Sequence, residues 1–252
     1  MNSSYTLGVA SVSFRQHTPR EILEAVKAAG LECIEWGSDV HAPCTDETAL
    51  RRIAAMQAEY GVVCSSYGTY FRLGHTPLSE LETYISAAKT LGTNTLRLWC
   101  GSKSGAAMTE DERGALVEEC RKAAEIAERC GVTLCMECHT DTFTERLEDA
   151  LFLMETIDSE HFRMYWQPSQ WRCRHDNIAY AEALSAYVKT VHVFQWKETQ
   201  RFPLKRGRDE WCTYLSCLPH VQTLLLEFMP NDTLEELAVE AAALKAMVGG
   251  DE

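Results

Sequence analysis

Eight short apolar runs recur along the chain, each separated from the next by a stretch of helical period, and this alternation limits the fold more than any other feature. The runs are TLGVASVSF, LECIEWG, VVCSSYG, NTLRLWCG, VTLCMECH, FRMYWQPS, TVHVFQW and TLLLEFM, beginning near residues 6, 31, 62, 94, 132, 162, 190 and 223. The segments between them carry start and stop signals. TPREILEAVKAAG opens on Thr18 with Pro19 in its first turn and closes on Gly30, while LSELETYISAAKTLG and TEDERGALVEECRKAAEIAERCG end at Gly92 and Gly131. Strands alternating with amphipathic helices make βα units around a parallel sheet.

Eight such units in 252 residues match the size of a (β/α)8 TIM barrel. A doubly wound open sheet is the alternative, weakened by the turn SFRQHTPRE, which lacks a Gly-rich phosphate fingerprint. No Pro/Gly/Ser-rich linker interrupts the pattern, so residues 1–252 are expected to form a single α/β domain.

The bulk composition narrows the setting. The N-terminal MNSSYTLGVASVSF has no basic leader followed by a long apolar stretch, and no run approaches the roughly 20 apolar residues of a spanning helix, so a soluble, cytoplasmic protein without membrane partners is expected. Eleven cysteines, without CxxC pairs, read as reduced and mostly buried thiols. A net charge of −13 argues against nucleic acid as a partner, since phosphate binding rests on Lys and Arg. Nothing in the sequence decides whether the chain forms a homo-oligomer.

In such a barrel the chemistry sits where strands end, so the polar residues closing each run are the candidates. The fifth run closes on Glu137, the sixth on Gln167, the seventh carries His192 and the eighth closes on Glu227. These donors could converge on one divalent cation, Gln167 through its amide oxygen, as hard ions such as Mn²⁺ or Mg²⁺ accept. A lone strand-end Glu or His is more often a solvated or ion-paired residue. Two carboxylates buried together without a cation would cost several kcal/mol, which favours the collective reading.

Glu137, the VH pair at His192, Glu227 and the segment GRDEWCTYL give the chain a resemblance to the xylose isomerase-like TIM barrel superfamily of sugar and sugar-phosphate isomerases and epimerases, the AP endonuclease 2-like barrels. The resemblance implies one Mn²⁺, Mg²⁺, Co²⁺ or Zn²⁺ ion held by a Glu, an Asp, a His and a Glu. Here Gln167 stands at the Asp position, making it an expected neutral fourth ligand, and Gln170, a candidate substrate contact, stands where the family often has a His. That second departure also argues against the multi-zinc endonuclease branch.

Other strand ends supply groups suited to a polyhydroxylated ligand: Glu35, Trp36, Asp39 and His41 after the second run, Tyr67 after the third, Arg97 and Trp99 in the fourth, and His139 two residues beyond Glu137. The loop KETQRFPLKRGRDEW concentrates Lys197, Arg201, Lys205, Arg206 and Arg208, and Lys205 with Arg206 is a candidate anion grip, a solvated charged loop being the plainer alternative. GSKSG, with Lys103, is a weaker candidate for an anion nest.

The expected activity is a metal-dependent isomerase or epimerase acting on a ketose, keto-polyol or sugar acid through an enediolate. Glu137 and Glu227 would serve as base and acid in turn, as the family's corresponding pair does. A lyase eliminating a β substituent from the same enediolate is the second expectation. A sugar-binding barrel without turnover is the third.

Overall fold

The structure, a computed structural model, describes residues 5–249; the first four residues of the N-terminal segment read above lie outside that range. Eight parallel strands close a barrel: β1 (Thr6–Ala10), β2 (Cys33–Gly37), β3 (Val63–Leu73), β4 (Thr95–Cys100), β5 (Thr133–Glu137), β6 (Phe162–Trp166), β7 (Val188–Val193) and β10 (Thr223–Leu226). The strands β8 (Gln195–Lys197) and β9 (Gln200–Phe202) form a separate antiparallel hairpin after β7. Closure is direct, with Gly8 of β1 facing Cys33 of β2 on one side and Leu225 of β10 on the other. Every expected strand is present. No helix of the described residues is long and apolar enough to cross a membrane.

The helices start and stop where local chemistry says they should. Thr18 and Thr109 each form a capping box, with Glu21 and Glu112, at the head of α1 (Pro19–Ala28) and α4 (Glu110–Cys130). The helices α2 (Glu47–Tyr60), α3 (Leu81–Leu91) and α4 end on Gly61, Gly92 and Gly131, all left-handed, a backbone state that a side chain would oppose. The ring of helices is completed by α5 (Leu147–Ile157), α6 (Arg174–Leu184), α7 (Arg208–Ser216) and α8 (Leu234–Val248).

Strand alternation sorts side chains into two environments. Outward residues such as Leu134, Met136, Leu224 and Leu226 are buried against the helices, each contributing about 1.5–3 kcal/mol by leaving water. Inward residues Cys33, Cys135, Tyr165 and Leu225 form a separate small apolar cluster. The next inward position along β2, β5 and β10, two residues on, is a glutamate: Glu35, Glu137 and Glu227. An apolar plug thus lies beneath a layer of charge. All eleven cysteines are free thiols.

Candidate metal centre

The charged layer is built from five strands. Arg97 of β4 donates to Glu35 of β2 through Nε (3.0 Å) and to Glu137 of β5 through Nη1 (2.6 Å). The other oxygen of Glu35 accepts from Tyr165 Oη (2.6 Å) and Ser66 Oγ (3.0 Å). Gly68 makes this stack feasible: a Cβ there would lie 2.5 Å from Glu35 Oε1 and 2.8 Å from Arg97 Nη2. His192 of β7 is fully buried in the middle, with Nε2 facing Glu35 Oε1 at 3.5 Å.

The opposite nitrogen of His192 is ringed by oxygen. Nδ1 lies 3.1 Å from Gln167 Oε1, 3.4 Å from Glu227 Oε2 and 3.5 Å from Glu137 Oε1. The Gln167 amide is oriented by its own donor, because Nε2 gives a hydrogen bond to Cys138 O (3.1 Å) and so turns Oε1 inward. An acceptor-rich, donor-poor cluster of this kind suits a cation. In an octahedral shell with bonds of about 2.1 Å, adjacent ligand atoms sit about 3 Å apart, close to the spacings found here. Glu137, His192 and Glu227 bring ligand atoms within 4.8 Å of one another, and the residues fit a divalent ion.

The two glutamates at this centre have different surroundings. Glu137 Oε2 accepts from both Arg97 (2.6 Å) and Trp99 Nε1 (2.5 Å); burial would raise its pKa, but Arg97 and then His192 hold the carboxyl well below the usual range. The Glu227 carboxylate accepts no hydrogen bond among the described residues; burial, with Glu137 repelling it, pushes its pKa up against the pull of His192 and Arg97. Burial works against a charged His192, yet Glu227 and Glu35 raise its pKa to about 10.

A family model described as the xylose isomerase-like TIM barrel matches residues 23–219. The chain belongs to that family. Among curated proteins no sequence match reaches significance. Solved structures similar to this xylose isomerase-like barrel include the probable 3-DHS dehydratase AsbF of Bacillus anthracis, at 17% identity and a TM-score of 0.75 over 96% of this chain and 98% of that one. A D-psicose 3-epimerase from Clostridium cellulolyticum H10, with D-tagatose, gives 14%, 0.73, 96% and 98%. A xylose isomerase-like TIM barrel protein of Mycobacterium smegmatis, in complex with magnesium, gives 14%, 0.73, 99% and 99%. At these identities the likeness is one of fold.

Above the centre of this xylose isomerase-like barrel opens a cavity of about 230 Å³. Of the candidate substrate residues, Arg97, Trp99, His139 and Gln170 line it, as do Glu137, Gln167 and Glu227. Trp99 and His139 pack against each other, ring centroids 5.2 Å apart.

The remaining candidates lie outside the lining of this cavity. Glu35 lies beneath His192, outside the cavity lining and 1% exposed, where it serves Arg97 and His192. Trp36 and Tyr67 have the opposite strand parity to Glu35 and Gly68 and point into the helical layer, Trp36 donating to Gln57 (2.5 Å) and Tyr67 to Ala42 O (2.5 Å). His41 is buried between Ser11 Oγ and His17 O, at 3.1 Å from each. Asp39 pairs with Arg15 (2.5 Å). Lys205 and Arg206 occupy a 3-10 turn (Leu204–Gly207) outside the cavity, with Arg206 over the Phe202 ring. Lys103 is tied to Glu112 (2.8 Å), which leaves GSKSG no free cation.

Sequence reading missed Arg15, Tyr70, Trp196 and Phe228, all of which line the cavity. Parity held the signal for two of them: Tyr70 continues the inward series Ser66, Gly68 along a strand that runs on to Leu73, and Trp196 follows His192 and Phe194. Phe228 adopts φ 49°, a costly state for an aromatic residue, with its N–H bonded to Ser13 Oγ (2.8 Å).

Proposed function

We propose that the protein is a divalent-metal-dependent isomerase or epimerase acting on a ketose, keto-polyol or sugar acid. The observation that carries this reading is the ring of three oxygens, from Gln167, Glu227 and Glu137, around Nδ1 of His192. These four residues would hold the ion. When bound, the ion supplies Lewis acidity to a substrate carbonyl and its neighbouring hydroxyl.

The chain's own groups then divide the work. Glu227, at the cavity wall and without a hydrogen-bond partner among the described residues, takes the proton from the carbon beside the carbonyl and returns it. Arg97 and Trp99 keep Glu137 ionised and fixed as a ligand. Glu35 faces Nε2 of His192 and steadies its ring. Trp99 offers an apolar edge to a sugar's C–H face, and Gln170 offers amide groups to its hydroxyls.

The unequal glutamates also favour a second reading, a lyase. Proton transfer between neighbouring carbons and β-elimination with a departing group can each run on the one mobile carboxyl, Glu227, whereas inversion at a single carbon would also require Glu137 to exchange a proton. The family's relatives include proteins named for both outcomes, an epimerase and a probable dehydratase.

Incubation with a panel of ketoses in D₂O and Mn²⁺ tests the readings together. Deuterium entering beside the carbonyl supports the isomerase, and an unsaturated product supports the lyase. Failure of the purified protein to bind any divalent ion at stoichiometric level ends both.

A further inference from the structure

We propose that the substrate extends from the metal-centred cavity into a second one beside it, and is therefore a two-part molecule: a reacting sugar-like unit joined to a ring that bears an anionic group. The identity of the reacting half rests on the function proposed above. The second cavity, of about 460 Å³, lies between the loop after β6, the β8–β9 hairpin and α7. It shares Pro168, Ser169, Gln170, Phe194 and Trp196 with the first, so the two open onto a common wall. The first cavity alone, at about 230 Å³, falls below the roughly 300–1,000 Å³ of ordinary small-molecule pockets.

The second cavity's lining names the chemistry of its guest. Trp171 stands at its edge 57% exposed, a large apolar face turned to water. Arg174 is occupied by Asp209 O and Thr213, and Glu210 by Tyr214 and Gln195. The side chains of Arg172 and Lys197 make no hydrogen bond or ion pair among the described residues, and Glu198 is the remaining, exposed carboxylate. Arg172 is held over the Tyr180 ring at 4.4 Å, which fixes its guanidinium without neutralising it. In a chain of net charge −13 this is a local reversal of sign. Trp196, stacked on Phe228 at a ring-centroid distance of 5.3 Å, stands on the shared wall and offers a ring guest an aromatic neighbour.

The probe is 4-fluorobenzoate, followed by ¹⁹F NMR on the full-length protein with Mg²⁺, with Mn²⁺ and after chelation, and compared with neutral 4-fluorobenzyl alcohol. Benzoate should bind in all three states and more tightly than the alcohol. Trp171→Ala and Arg172→Ala should each weaken it about tenfold, with metal affinity unchanged. Mn²⁺ at the metal centre should broaden the signal of bound benzoate, and Mg²⁺ should not. Absence of binding, insensitivity to both substitutions, loss of binding on chelation, or a sharp signal with Mn²⁺ bound would overturn the proposal. If the protein binds no Mn²⁺ while benzoate still depends on Trp171 and Arg172, the metal-centre function fails and the second site stands.

Discussion

The ends of β5 and β10 carry the same residue, bordering the same cavity and facing the same histidine. Glu137 receives two strong donors on one oxygen and a depressed pKa; Glu227 receives none and a raised one. Residue type therefore does not set the role of a buried carboxyl; the donors that reach it do. Arg97 and Trp99 project from one face of β4, next to β5, while β10 lies on the far side of β6 and β7, so the charge of Arg97 is felt at Glu227 but neither side chain hydrogen-bonds it.

That contrast can be broken by exchanging charge for amide at each end. Glu227→Gln should slow deuterium exchange about 10³-fold, the usual scale of a lost general acid–base group, while the ion stays bound. Glu137→Gln should lower metal affinity first and slow exchange chiefly through ion loss, so saturating metal should restore much of its rate. Equal, unrescued losses in both variants would erase the distinction.

The anchor itself is the next test. Arg97→Met leaves Glu35 and Glu137 buried without their counter-charge and should cost about 3–5 kcal/mol in urea unfolding of the metal-free protein. Arg97→Lys keeps charge but cannot reach both carboxylates through a fork, and should fall between the two. A wild-type-like Arg97→Met would mean that Glu137 is not pinned by charge.

Acidity sharpens the comparison further. The pKa of His192 is raised from 6.5 to about 10 in the metal-free protein, so the attraction that raises it contributes stability in full below pH 6.5 and is lost as pH climbs through about 10. Metal binding has the opposite sign, because the ion needs the neutral imidazole. Affinity should rise about tenfold per pH unit from 7 towards 10 and then level, with close to one proton released per ion in calorimetry run in two buffers. A flat profile would show that His192 is already neutral.

The smallest effect is expected at Gln167. Gln167→Glu adds a charge at the same reach but gives up the hydrogen bond to Cys138 O, so the ion should tighten by about tenfold or less while turnover holds or falls. An unchanged dissociation constant would place the Gln167 amide outside the ion's shell.

The strands were legible because apolar runs buried on both faces leave a continuous mark, and their last polar residues were legible because a strand end is a fixed address in this fold. What went unread was mostly parity and loop path. Trp36 and Tyr67 are sequence neighbours of the inward Glu35 and Gly68, but one step along a strand reverses the direction of a side chain. The mispairing was easy to make on β3, whose register shifts against both of its neighbours and which runs on past Gly68 to Tyr70 and Arg72. Arg15 and Phe228 come from turns whose course depends on contacts such as Ser13 with Phe228, which no short pattern encodes.

Gly68 has a bearing on how tolerance to change is interpreted. It offers no atom to an ion, a proton or a sugar, yet its missing side chain is the space in which Glu35 and Arg97 meet. In a saturation survey of variants position 68 should score as strictly as the glutamates it accommodates, with alanine already failing. A map of intolerance would mark it as part of the chemistry, when what it contributes is vacancy.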